Sequence, residues 1–196
     1  RLEEILSDLT AKEIAEEVID NLESDDAADV IGKLPQNKKE EVLALIEDIE
    51  RASDINDLLT YPEDTAGGLM AKELIKINEN WTTIQCLKEM RKQAEDLKEV
   101  YTIYVVDDND KLLGILSLRK LLLIERATAI KDIIFTDIIS VKATEDDEHV
   151  ANIMNKYDLI ALPVVDDLNR LIGRITIDDV MDVAKDEAKK DYQMAS

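Results

Sequence analysis

Residues 101–117 read YTIYVVDDNDKLLGILS, and residues 160–176 read IALPVVDDLNRLIGRIT. The two stretches align without a gap at an offset of 59 residues. Val105-Val106-Asp107-Asp108 matches Val164-Val165-Asp166-Asp167, Leu112 matches Leu171, Gly114 matches Gly173, and Ser117 matches Thr176. Each stretch is an apolar, β-rich run, then a polar turn, then a second short apolar run, which is a hairpin pattern. An amphipathic helical pattern precedes each one, at roughly 82–94 and 145–157, and a helix follows. The repeated unit is therefore strand, helix, strand, turn, strand, helix. Two such units are expected to pair through their exposed sheets.

Upstream the period changes. Leu2, Ile5, Leu6 and Leu9 follow helical spacing, as do Ile14, Ala15, Val18, Ile19 and Leu22. Ser24 reads as an N-cap ahead of Asp25 and Asp26, whose charges suit a helix N-terminus. Leu34-Pro35 ends that helix. Val42, Leu43, Leu45, Ile46 and Ile49 predict another helix, and Ile55, Leu58 and Leu59 one more. Brief helices in series predict a superhelical bundle. Pro62, Gly67 and Gly68 punctuate the chain at the change of period. The expected class is α+β, with an acidic α-helical unit over 1–66, a first repeat over 67–127 and a second over 128–196. Gly67-Gly68 reads as a hinge, being too short for a phosphate loop.

Charge divides along the same line. The 196 residues carry 45 Asp plus Glu against 24 Lys plus Arg, a formal net charge of -21. Residues 1–66 hold 20 of the acidic and 6 of the basic residues, so about two-thirds of the excess lies in the first third. Such a chain is a poor ligand for nucleic acid, whose phosphates need clustered Lys and Arg. It is also poorly suited to an anionic membrane surface, and it attracts cations. One Cys excludes an internal disulfide, and one His with one Cys cannot build the usual tetrahedral zinc site. Scattered carboxylates define no acid and base pair, so no enzyme is expected. No apolar stretch approaches the roughly 20 residues of a membrane span, and no signal peptide is legible. The chain begins at Arg1 and reads as a fragment.

Three carboxylate groups suit a hard cation, which prefers oxygen ligands. Asp25 and Asp29 stand at i and i+4, where like charges oppose each other by a few tenths of a kcal/mol. A capping Asp and a solvated Asp explain the same pair. Glu145-Asp146-Asp147-Glu148 follows Thr144, which equally reads as a capped helix start. Asp158 joins that group only if the fold brings it back. Asp179, Asp182 and Asp186 form a stripe on the last helix with Glu187 beside it, and a solvated acidic face is the alternative there.

The hydrophobic-V-V-D-x-x-x-x-L-x-G hairpin, with the Gly173, Thr176, Asp179 turn that follows, resembles a tandem CBS pair. The first copy departs at the turn, with Lys120 where the second has Asp179. Tyr61-Pro-Glu-Asp-Thr-Ala-Gly-Gly-Leu-Met70 resembles the segment joining the N domain to the CBS pair in MgtE-type magnesium transporters, and the order of units is similar along essentially the whole chain. The resemblance implies several weak regulatory Mg2+ sites between the N domain and the second CBS unit. By motif position they fall on Asp146, Glu148, Asp158, Asp179, Asp182 and Glu187, facing Asp25 and Asp29. Lys189 and Lys190 stand where a further acidic residue is expected, which weakens the outermost site. It also implies a transmembrane domain after the last helix, a place at the cytoplasmic face of the membrane, and a homodimer through the CBS units. The function implied is magnesium sensing that compacts the domains and favours a closed pore.

CBS pairs also bind adenine nucleotides, and by this resemblance Arg119, Pro163 and Thr176 would line a cleft for ATP. The alternative function is a stand-alone nucleotide-sensing CBS module acting on a soluble partner. Cys86 on an amphipathic helix is expected in the core. Trp81 is read as a hydrophobic staple before Thr82, and His149 as a surface residue. Met70, Met90, Met154 and Met181 are expected in packing.

Overall fold

In the computed structural model, residues 1–196 are described apart from 101, 127 and 196; the side chains of 186 and 187 also lie outside the described residues. The acidic unit is helical, as its period predicts. α1 (Leu2–Ser7) is followed by α2 (Ala11–Glu13), which opens on a Thr10/Glu13 capping box and runs on through a π-helical turn (Ile14–Val18) and a 3-10 turn (Ile19–Asn21). α3 (Ser24–Gly32), α4 (Gln36–Leu45) and α5 (Ile49–Leu58) complete it. The predicted helix through Ile49 is two helices. The chain turns extended at Ile46, and the Asp48 side chain accepts a bond from the Arg51 N–H to start α5. Ile49 is 83% exposed at that helix start, outside the core. Pro35 stands between α3 and α4, as expected of a residue that cannot continue a helix.

The two repeats have the same topology. After the short α6 (Ala66–Leu69), the first runs β1 (Ile75–Asn78), α7 (Thr83–Ala94), β2 (Ile103–Val106), β3 (Leu112–Leu116) and α8 (Leu118–Leu123). The second runs β4 (Val141–Lys142), α9 (Asp147–Lys156), β5 (Ala161–Val165), β6 (Leu171–Thr176) and α10 (Ile177–Ala195). In each sheet the middle strand pairs parallel to the first and antiparallel to the last. A register shift falls at the Val-Val pair of both copies. The hairpin turns place Asp110 and Asn169 at φ 63° and 61°, a conformation that Asn and Asp tolerate.

The segment leading into each repeat pairs with the other repeat's sheet. Ala71 exchanges backbone bonds with Arg174 on β6, and Phe135 exchanges them with Ile115 on β3. This swap explains the matched glycines. A Cβ on Gly114 would stand 2.6 Å from the Phe135 carbonyl oxygen, and one on Gly173 would stand 2.6 Å from Met70 Sδ and 2.9 Å from the Ala71 oxygen. The glycine of the repeated motif is there for close backbone approach.

The core joins units that the sequence separates. One cluster runs from Ile14, Ile19, Ile31 and Ile55 through Ala66 and Met70 to Val150, Met154, Leu162 and Ile175. The helical unit thus shares its core with the second repeat. The first repeat packs its own, around Ile75, Ile77, Cys86, Ile103 and Leu121, with Trp81 against it. Tyr104, Val106, Leu112, Val165 and Leu171 join the two hairpins. Each fully buried side chain of this size contributes about 1.5–3 kcal/mol. Met70, Met90 and Met154 are buried, whereas Met181 is 51% exposed on α10 and is not a packing residue. Gly67-Gly68 is no hinge. Both glycines lie in α6, where Cβ atoms would strike the Tyr61 ring and the Pro62 carbonyl oxygen.

Gly173→Ala is expected to cost about 1–3 kcal/mol through overpacking against Met70 and Ala71. Urea denaturation reads this as a lower midpoint with unchanged slope.

Candidate functional site

α3 and α10 each present carboxylates to one cleft of about 420 Å3. Its lining includes Asp25, Asp26 and Asp29 from α3, Asp179 and Asp182 from α10, Glu63 and Asp64 from the linker, and Asp147 at the start of α9. Lys33 and Lys190 are the cations at its rim. The linker is held there by backbone. Ala66 N–H donates to Glu145 O at 2.8 Å, Gly67 N–H to Ala143 O at 2.9 Å, and Asp147 N–H to Asp64 O at 3.0 Å.

Asp25 is the deepest of these groups, 8% exposed, and its Oδ1 is buried with no hydrogen-bond partner. Burial pushes its carboxyl up to about 8, helped by the neighbouring charges of Asp179 and Asp26. Asp29 is pushed up to about 6, by partial burial and then by Asp26 and Glu63. Asp26 is raised as well, through burial and Asp179. A buried polar oxygen without a partner costs roughly 1–3 kcal/mol. The cleft is short of positive charge at its deepest point. On the other wall, Asp179 Oδ2 accepts bonds from the Thr176 N–H and hydroxyl, each at 3.0 Å. The Thr-x-x-Asp turn of the repeat therefore caps α10 and aims Asp179. Among the described residues, no group of three His, Cys, Asp or Glu side chains stands close enough to hold one ion directly.

Of the residues singled out in the sequence, the fold brings Asp25, Asp29, Asp179 and Asp182 together. Asp146, Glu148 and Asp158 are not in this cleft. The expected cap at Thr144 is Asp146 instead, whose side chain accepts from the Glu148 N–H at 2.9 Å, so the helix starts later and Asp147 faces the cleft. Asp158 follows α9 at φ 51°, in the left-handed conformation that commonly ends a helix. The side chain of Glu187, like that of Asp186, lies outside the described residues. Asp147 belongs to the 145–148 run that the sequence singles out as a group, whereas spacing does not single out Asp26, Glu63 or Asp64. The signal for the linker pair lies in the Tyr61–Met70 segment, where Glu63 and Asp64 are adjacent acids.

Arg119 and Pro163 line different cavities, and Thr176 lines neither of these two. Pro163 lines a cavity of about 270 Å3 with Tyr104, Phe135, Asp137 and Tyr157. Arg119 lines a separate depression beside Ser117 and Lys120. Thr176 is buried, its hydroxyl committed to Asp179. Cys86 is buried in the core with its thiol pushed up to about 11 by burial. His149 is on the surface, 4.0 Å from Glu145.

Residues 1–64 match the MgtE intracellular N domain, and residues 66–126 and 130–186 each match the CBS domain. Both are regulatory families, not catalytic ones. The magnesium transporter MgtE of Thermus thermophilus is 40% identical over 71% of this chain and 31% of its own length. That of Enterococcus faecalis is 39% identical over 73% and 32%. The chain therefore spans about a third of the length of these curated relatives. A crystal structure of the soluble part of a magnesium transporter matches with a TM-score of 0.85 and 34% identity, over 95% of this chain and 72% of that one. The cytosolic domain of the Mg2+ channel MgtE in complex with ATP matches with a TM-score of 0.78 and 35% identity, over 92% and 78%. Among the described residues no helix is long and apolar enough to cross a membrane. With its helical unit, its swapped pair of repeats and both matches in order along one chain, this protein belongs to the MgtE family as an intracellular N domain followed by two CBS domains.

Proposed function

We propose that this region senses intracellular magnesium for a transporter, with the cleft between α3 and α10 as the sensing site. The observation that carries the reading is the buried, unpartnered Oδ1 of Asp25, in a cleft whose other wall carries Asp179 and Asp182. Two walls of like charge repel, and a divalent cation supplies the missing counter-charge. Magnesium gives up its waters reluctantly, so a hydrated ion suits carboxylates that do not converge on one point. Asp25, Asp29, Asp179 and Asp182 would hold it, with Glu63, Asp64 and Asp147 adding charge at the edge. Millimolar sensing needs only about -4 kcal/mol per ion. Several such sites together shift an equilibrium between an open and a compact arrangement.

In the whole protein, closure would pass along α10 into a membrane domain and favour a closed pore. The region would lie at the cytoplasmic face and pair with a second copy through its CBS units. A second reading rests on the cavity around Tyr104, Phe135, Tyr157 and Pro163, whose aromatic lining suits a base. A relative at 35% identity is solved in complex with ATP, which supports nucleotide binding by this region. A stand-alone nucleotide sensor would respond through this cavity alone.

Protons compete with the cation. Asp25 sits at about 8 in the fold against an ordinary value of 3.8. A raised acid makes the folded chain bind more protons than the unfolded one. Stability is then full below pH 4 for this group and falls as pH rises through about 8. The slope reaches about 1.4 kcal/mol per pH unit for one such group.

Small-angle scattering across a magnesium titration is expected to show a falling radius of gyration, with Asp25→Ala and Asp179→Ala shifting the midpoint upward at least tenfold. An invariant radius, together with unaltered protease susceptibility, defeats the sensing reading. In EDTA the melting temperature is expected to fall between pH 5 and pH 8, magnesium restoring it at pH 8; Asp25→Asn flattens the profile. Calorimetry with ATP is expected to show binding that Tyr157→Ala and Phe135→Ala weaken; no heat with either magnesium-loaded or metal-free protein removes the nucleotide reading.

A further inference from the structure

Away from the cleft carboxylates, a second set of contacts ties the helical unit to the CBS pair. Ser24, the first residue of α3, stands against Glu73. Its N–H donates to Glu73 Oε1 at 2.7 Å and its hydroxyl to Glu73 Oε2 at 2.6 Å. The same hydroxyl oxygen accepts the Lys72 N–H at 2.9 Å. Ser24 is therefore not the N-cap expected from the sequence, a position that Glu23 holds; its hydroxyl bonds across the boundary between the helical unit and the CBS pair. Arg51 Nη1 lies 3.6 Å from Glu73 Oε1, while its Nη2 donates to the carbonyls of Ile19 and Leu22. Lys72 Nζ pairs with Asp57 at 2.6 Å.

Arg174 closes the arrangement from the second repeat. It is 5% exposed, on β6, at the position where the first repeat has Ile115. Its Nε donates to the Glu73 carbonyl at 2.8 Å and its Nη2 to Glu23 Oε2 at 3.2 Å. A buried Arg is retained only where it is paired and hydrogen-bonded. Apart from the half-exposed Asp57, the side chains here are buried or part-buried, where charge-assisted bonds are strong.

The placement matters as much as the bonds. Ser24 directly precedes Asp25 on α3, and Arg174 stands five residues before Asp179 at the start of α10. We propose that Glu73, gripped by Ser24 and Arg51 and tied through its backbone carbonyl to Arg174, is a positioning residue: a cation-independent pivot that registers the α3 carboxylates against those of α10. On losing its cations the helical unit turns about this pivot rather than detaching. The apparent affinity for a ligand falls with the fraction of molecules in the competent arrangement, so the pivot keeps the sensing range low by holding that fraction high.

The inference rests on the sensing reading for its consequence, but the pivot itself is measurable without metal. The probes are magnesium chloride and EDTA, on the whole chain, with Glu73→Ala, Ser24→Ala and Asp182→Asn. In EDTA, Glu73→Ala is expected to enlarge the radius of gyration and speed trypsin cleavage between the units, and Asp182→Asn to do neither. In magnesium, Glu73→Ala is expected to reach the wild-type radius at a midpoint about tenfold higher. Should Glu73→Ala melt the CBS pair by circular dichroism, Ser24→Ala decides, since it removes only the hydroxyl bonds; a similar rise in midpoint is expected. Wild-type compactness in EDTA with an unmoved midpoint in the folded variants overturns the pivot. Expansion of Glu73→Ala in EDTA, with no response of the wild type to magnesium, upholds the pivot and defeats the sensing reading instead.

Discussion

Like-charge repulsion across the cleft between α3 and α10 is the constraint around which this molecule is arranged. Asp25, Asp26 and Asp29 oppose Asp179 and Asp182, and the carboxyl of Asp25 is buried deeply enough to be driven to about 8. Among the described residues, the cations lining that cleft are Lys33 and Lys190. The compensation comes from elsewhere in the fold: a shared apolar core, a swapped backbone pairing, and a polar grip at Glu73. The core and the grip at Glu73 tie the helical unit to the second repeat, the swapped pairing ties the two repeats together, and none of them places a cation between the walls.

The shared core is the least expected part. A helical unit that merely swung on a linker would close its own core. Here Ile14, Ile31 and Ile55 belong to the same cluster as Val150, Met154 and Ile175, with Ala66 and Met70 between. The linker is thus packed and hydrogen-bonded along its length, and its two glycines serve close approach rather than freedom. Any change in the angle of the helical unit is therefore a rotation over a packed seam. That favours two discrete arrangements over a continuum, because packed cores deform poorly.

The repeat explains itself in the same terms. Gly114 and Gly173 match because each lies under the lead-in segment of the other copy. Where the copies differ, the difference has a use. Lys120 replaces the acid that in the second copy caps α10 and lines the cleft. Arg174 replaces Ile115 and reaches across to Glu23 and Glu73. Divergence between the copies marks the side of the pair that meets the helical unit.

Much of this was legible in the residues. The offset of 59, the hairpin runs, the helical period of the first 66 residues and the concentration of acid there determine the class, the order of units and the kind of ligand the chain attracts. Spacing along α3 and α10 brings out Asp25, Asp29, Asp179 and Asp182, because helical neighbours share a face, and the family resemblance selects the cation reading over a capped or solvated one. What only the tertiary structure decided is which member of a contiguous acidic run points inward. Asp146 caps α9, and Asp147 stands three and seven residues before the buried Val150 and Met154, so it lies on the inward side of the helix. Asp147 then faces the cleft in place of Asp146 and Glu148. The bonding of Ser24 to Glu73, and of Arg174 to Glu73 and Glu23, joins residues 49, 101 and 151 positions apart. Local pattern carries no information over such distances, since the pairing depends on how separately folded units meet.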